Sequence, residues 1–208
     1  VKLVGKERCC GMPKMELGDL ASVERAKEDN IPVLADLVDQ GYDLTALVPS
    51  CVLMFKQELP LMFPDDPEVK KVQQAFFDPF EYLWLRNKAG LLRKDFSNPL
   101  GDISYQVACH LRVQNIGYKA RDVLQLIPDT RVNVLERCSG HDGTYAVKVE
   151  THDIAVKIGR PVARKVKAAE GATLSSDCPM AGSHIARLSE TVEGSQHPIS
   201  LLHKAYGL

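Results

Sequence analysis

Six cysteines supply the most reactive side chains of this 208-residue chain: Cys9, Cys10, Cys51, Cys109, Cys138 and Cys178. Thiolates are soft donors that take zinc, copper(I) or iron–sulfur clusters. A structural zinc site announces itself through close pairs such as C-x-x-C, and the sequence has none. Widely spaced cysteines suit a larger object better, because an iron–sulfur cluster needs ligands spread around its faces. The bland alternatives are buried thiols acting as small apolar residues or, in a secreted chain, disulfides. Cys9 and Cys10 are adjacent and could hardly bridge each other without strain.

Neither alternative explains where the cysteines fall. Residues 7–11 read ERCCG and residues 136–140 read ERCSG. With Cys9 aligned to Cys138, Arg8 faces Arg137, Gly11 faces Gly140 and Cys10 faces Ser139. The next cysteine follows after 42 positions in the first copy (Cys51) and after 40 in the second (Cys178). Internal self-similarity sets architecture, and two copies imply a pair of pseudo-symmetric repeats. Gly11 and Gly140 would let backbone approach a bulky cofactor.

The elements around the cysteines can be read in the second copy. SYQVACH (104–110) reads as a strand. Residues 117–127 read as a helix ended by Pro128, and RVNVLE (131–136) as a second strand. CSGHDGT is a glycine-bearing loop, with Asp142 as a cap for the helix after it. Residues 151–171 read as a helix broken near Gly159 and Pro161. ATLSSD (172–177) is a third strand, and Pro179 suits the start of another helix. Alternating strands and helices imply a parallel sheet with helices on its faces. Cys109, Cys138 and Cys178 would then stand at neighbouring carboxyl ends, the edge where α/β sheets bind ligands.

The first copy shows a strand at 1–5, a loop at 9–18, a helix from Asp19 to Asp39 interrupted at Pro32, a strand at 44–50 and then Cys51. The counterpart of Cys109 would lie some 29 positions before Cys9. The chain lacks an initiator Met, so it reads as processed or N-terminally shortened. The fold class is therefore α/β, with two pseudo-symmetric repeats, each a small parallel sheet flanked by helices, the first N-terminally incomplete. Residues 1–92 would hold the first repeat with a connecting helix (66–89, Asp66 as N-cap), 93–102 a linker, and 103–208 the second repeat.

His110 and His141 sit beside proposed ligands. Histidine can ligate metal, donate to sulfur or move a proton; the default is an orienting neighbour. Lys119 and Arg121 fit a solvated helix face. Phe77, Phe80 and Trp84 at helical spacing fit core packing or a contact between subunits.

Composition narrows the function. Apolar residues are 45% and charged residues 25%, as in soluble globular proteins. A net charge of −1 argues against nucleic acid as partner. Apolar runs such as 52–55 and 59–63 are too short to span a bilayer, and no secretory signal is visible. The expected location is cytoplasmic.

The segments ERCCGMP, VACHLRVQNIGYKARDVLQLIP, ERCSGHDGTYAVK and SDCPMAG…HPISLLHKAYG resemble the cysteine-rich domain with a Cys-Cys-Gly signature. That domain occurs, usually as two copies, in the B subunit of heterodisulfide reductase. It also occurs in iron–sulfur subunits of glycolate oxidase, lactate-utilisation complexes and anaerobic glycerol-3-phosphate dehydrogenase. This sequence resembles the C subunit of the last. The resemblance implies that Cys9, Cys10, Cys51, Cys109, Cys138 and Cys178 hold iron–sulfur, of 4Fe-4S type, in an electron-transfer subunit of an oxidoreductase. It would relay electrons between a flavoprotein dehydrogenase or ferredoxin-type domain and a quinone or similar acceptor, with membrane contact at most peripheral.

Three departures bear on the ligand set. Met54 and Ala181 stand where the last cysteine of the family motif falls, Ser139 replaces the second cysteine of the signature, and the first copy lacks its upstream cysteine. The second copy thus offers three thiols, with His141 or His110, a hydroxyl, water or substrate as fourth ligand. Two alternatives stay open: a catalytic thiol or heterodisulfide reductase at an open iron position, and a zinc or thiol module without redox chemistry.

Overall fold

The computed structural model describes residues 1–5, 8–190 and 194–208. Glu7, in the first pentapeptide, lies outside the described residues. The fold is α/β: two small parallel sheets flanked by helices. The chain divides into two compact units, Val1–Pro79 and Phe80–Leu208.

In the first unit, α1 (Met12–Glu16), α2 (Leu20–Asp39), β1 (Leu44–Thr45) and α3 (Pro49–Leu53) follow in order. A π-helical turn, Met54–Glu58, carries α3 into α4 (Leu59–Met62); α5 (Pro67–Ala75) and β2 (Phe76–Phe77) complete the unit. β1 and β2 pair in parallel. The core is formed by Val23, Ile31 and Leu34 of α2, Val52, Met54 and Leu59 of the helical run, and Val69, Val72 and Phe76.

In the second unit, α6 (Pro79–Lys88) leads to β3 (Gly101–Gln106), α7 (Cys109–Arg112), α8 (Lys119–Leu124), β4 (Thr130–Leu135), α9 (Val149–Ala168), β5 (Thr173–Ser176), α10 (Pro179–Ser189) and α11 (Pro198–Ala205). The sheet is parallel with order β4-β3-β5. Alternation sorts its side chains to two faces. Ile103, Tyr105, Val132 and Val134 pack with Phe80, Trp84, Val123, Leu124 and Leu201. Leu135 and Leu174, on the opposite face, pack with Val162 and Val166 of α9 and Ile185 and Ala186 of α10. The segment before β3 is fastened to the C-terminal helix: Ser97 and Asn98 donate their amides to the Ala205 carbonyl at 2.8 and 3.0 Å.

The duplication is structural as well as literal. α2 and α9 each run 20 residues with proline at the thirteenth, Pro32 and Pro161. Cys9 and Cys138, the helix starts Leu20 and Val149, the prolines, and the strand starts Leu44 and Thr173 are all 129 positions apart. The two-residue slip lies between the strand and the last cysteine. The repeat also runs further than the pentapeptides disclose. β2 pairs beside β1, Pro79 follows, and the sequence KAG (88–90) closes α6; Gln196 bridges in parallel to Ser175 of β5, Pro198 follows, and KAYG (204–207) closes α11.

Several expectations need correction. The two long helices are unbroken. An internal proline costs about 3 kcal/mol, and three buried side chains of α2 such as Val23, Ile31 and Leu34, each worth about 1.5–3 kcal/mol, outweigh it. Residues 66–89 are not one helix. Asp66 does cap α5, accepting from Glu68 and Val69 amides at 3.0 and 3.1 Å. The helix then stops because Phe76–Phe77 pair with β1, and Pro79 keeps Asp78 out of the helical region. Val1–Gly5 forms no strand. In the second sheet the equivalent strand, β4, is held by pairing with central β3, whereas among the described residues no strand pairs with 1–5. The first strand of the second sheet spans 101–106 rather than 104–110, because helix α7 begins at Cys109. The strand at 44–50 shrinks to two residues because Pro49 opens α3. Asp142 is not the cap of α9: it has φ +31° in the turn, and Lys148 directly precedes the helix.

Candidate metal centre

β3, β4 and β5 end in register: Gln106, the last residue of β3, pairs with Leu135, the last of β4, and with Ser176, the last of β5. Cys109 and Cys138 each follow three residues after their strand, and Cys178 two residues after β5. Adjacent strands lie about 4.8 Å apart, so the three cysteines leave neighbouring points of one edge. Cys109 opens α7, Cys178 stands at the N-cap of α10, and Cys138 begins the loop toward α9.

The thiols meet in pairs. Cys109 and Cys138 approach closely; desolvation, then the neighbouring Cys138, push the Cys109 thiol up from its ordinary value. Cys138 also accepts the Gly140 amide at 3.4 Å. In the first unit the Cys10 and Cys51 thiols share a hydrogen bond. That contact raises the pKa of buried Cys10 and lowers that of Cys51, so Cys51 is the acidic member, with Cys9 electrostatically beside it. Cys9, Cys109 and Cys138 are exposed, Cys51 and Cys178 half-buried. Among the described residues no three His, Cys, Asp or Glu side chains close around one point as a single bound ion requires.

The glycines of the pentapeptides have a packing role as well. Both have positive φ, +96° at Gly11 and +81° at Gly140, a region glycine enters freely. Each has its open side against the long helix of its repeat, α2 for Gly11 and α9 for Gly140. A Cβ at Gly11 would lie 3.3 Å from Ala26 Cβ; one at Gly140 would overlap the Ala155 carbonyl oxygen and lie 3.0 Å from Gly159 N. Gly159 in turn admits the loop, since a Cβ there would sit 2.5 Å from the Ser139 carbonyl oxygen.

The histidines divide. His110 lies on α7, its carbonyl accepting from Gln114 Nε2 at 3.0 Å. His141 is buried, its amide donating to Ser139 Oγ at 3.2 Å, and it lies near His184. His184 is buried on α10, its ring 3.5 Å from the Ala155 carbonyl; burial lowers its pKa below the ordinary value.

Polar residues under the cysteine edge escaped notice in the sequence. Gln106 Nε2 donates to the carbonyls of Val107 at 2.7 Å and Arg137 at 3.1 Å. Ser176 Oγ donates to Gln106 Oε1 at 2.9 Å and accepts from the Cys178 amide at 3.3 Å. Tyr105 donates its hydroxyl to buried Asp177. Their signal was the polar ending of an otherwise apolar central strand.

Residues 103–186 match the family described as the cysteine-rich (CCG) domain. The matched residues lie within the second unit and include the second pentapeptide. Over 207 residues the chain is 25% identical to the C subunit of anaerobic glycerol-3-phosphate dehydrogenase of Escherichia coli (strain K12), and equally so to that of Escherichia coli O157:H7. These alignments cover 99% of this chain and 51% of the relatives, so the chain spans about half the length of the curated relatives it matches. Among the described residues no helix is long and apolar enough to cross a membrane.

Proposed function

We propose that the chain acts as an iron–sulfur electron-transfer subunit of an oxidoreductase. Cys109, Cys138 and Cys178 would be ligands in the second repeat, and Cys9, Cys10 and Cys51 in the first. The observation that carries this reading is the flush edge: three adjacent parallel strands, each followed within three residues by a cysteine, two of them exposed. Exposed thiols side by side are poorly explained as core filling. The donor set fits the group: soft thiols, with the Gly140 amide already directed at Cys138 sulfur, the kind of bond that tunes a cluster.

A cluster of 4Fe-4S type would supply one-electron transfer at this edge. The chain's own part is to hold the sulfurs, shield them partly from water and set the potential through amide donors. The relatives' name, a subunit of a glycerol-3-phosphate dehydrogenase, supports a dehydrogenase as partner; in this proposal that partner is a flavoprotein that donates the electrons, and the acceptor is a quinone or similar molecule. Any membrane contact would be peripheral or through another subunit.

A second reading has its own observation. Ser139 occupies the place of Cys10, leaving three thiols in the second repeat, with Cys109 and Cys138 open to solvent. An incompletely ligated iron there would offer a place for a substrate disulfide, whose S–S bond two electrons from the donor subunit and two protons would convert into two thiols. Electron paramagnetic resonance of the reduced chain separates the two. Relay predicts a signal reoxidised by a quinone analogue and indifferent to added thiols. A thiol-dependent change of the signal favours catalysis. A chain that binds zinc and gives no signal overturns both.

A further inference from the structure

We propose that Gln106 is a positioning residue that fixes the Cys138 and Cys178 loops relative to each other; this rests on reading those two cysteines as cluster ligands. Gln106 is 1% exposed on the central strand. Its side chain lies on the same face as Leu135 and Leu174, where α9 and α10 pack and where an apolar residue would serve stability. A buried amide left without partners costs about 1–3 kcal/mol, so its presence there asks for a task.

Its bonds define that task. The amide nitrogen faces two carbonyl oxygens, of Val107 and Arg137, which can only accept. The amide oxygen faces the Ser176 hydroxyl, which already accepts from the Cys178 amide and so has its proton free for Gln106. The orientation is forced: Cys178 N–H to Ser176, Ser176 O–H to Gln106, Gln106 N–H to the carbonyl of the residue before Cys138. One side chain on β3 thereby ties the loop after β4 to the helix start after β5, with Cys109 leaving the strand between them. In the first repeat the residue two before Cys51 is Pro49, which has no hydroxyl to offer, where the second repeat has Ser176.

The test compares the full chain with Gln106→Met, which keeps length and volume and makes none of these bonds. In the iron-free chain, amide exchange at Cys178 and across residues 138–140 should rise about two- to tenfold, the equivalent of one net hydrogen bond, with the thermal midpoint changed by no more than a few degrees. In the iron-loaded chain, the paramagnetic signal that Cys138→Ser abolishes should shift or broaden. Ser176→Ala, which removes one link and little volume, should raise exchange at Cys178 and keeps the test decisive if the methionine variant fails to fold. Unchanged exchange and an unchanged signal overturn the proposal. So does a large fall in midpoint with exchange raised everywhere, since that marks a general fold contribution. A wild-type chain that holds no iron overturns the ligand reading instead, while the iron-free exchange still decides what Gln106 does.

Discussion

Gly140 touches Ala155 as Gly11 touches Ala26, the same glycine against the same helix position in both repeats. The contact in the second repeat is the closer one: a Cβ at Gly140 would overlap the Ala155 carbonyl, whereas one at Gly11 would meet the Ala26 methyl at 3.3 Å. Both glycines have positive φ, so any side chain adds about 1–2 kcal/mol of backbone strain. Gly140→Ala should cost about 2–5 kcal/mol, strain plus overpacking, and Gly11→Ala distinctly less. Urea unfolding of the two variants checks the order. Equal costs would mean that the loop backs away from α9 freely.

The Cys10–Cys51 pair predicts an order of reactivity. Alkylation requires the thiolate. Cys51 has the lowered pKa, while Cys10 is raised by its bond to Cys51 and by burial. In the iron-free, reduced chain near neutral pH, iodoacetamide should label Cys51 before Cys10. Cys51→Ala removes the neighbour that raises Cys10, so Cys10 labelling should then accelerate. Peptide mass spectrometry over a time course reads both. Labelling of Cys10 first contradicts the account.

His184 predicts an acid limb in the stability profile. Burial lowers its pKa below the ordinary value of 6.5, so below that pH the unfolded chain binds a proton that the folded chain resists. Stability from this group is full above about pH 6.5 and falls as pH drops toward the folded pKa. His184→Gln should flatten the loss below about pH 6.5, measured as the shift in urea midpoint. An unchanged slope would assign the acid sensitivity to other groups.

Much of the site was legible because cysteines and glycines leave literal traces. The pentapeptides, the spacing to Cys51 and Cys178 and the βα alternation located the three strand ends. What escaped depends on partners rather than on local type. Pro32 and Pro161 read as breaks, yet burial of α2 and α9 overrides a local penalty. Phe76 and Phe77 read as helix, and only their pairing with β1 makes them a strand. The resemblance between β2–α6 and Gln196–α11 lies in a few residues and was hidden until the pairing showed it. At Gly11 and Gly140 sequence shows that a glycine is needed but not which neighbour needs it. Gln106 and Ser176 went unnoticed because ordinary polar residues gain meaning only from where their hydrogen bonds lead.

The most direct test of the central claim is the iron and acid-labile sulfide content of the anaerobically purified full chain, beside Cys138→Ser. The account predicts iron and sulfide in near-equal amounts, and in the variant a loss of about half, the share of one of two clusters. A wild-type chain without acid-labile sulfide, or a variant that keeps its full complement, would contradict it.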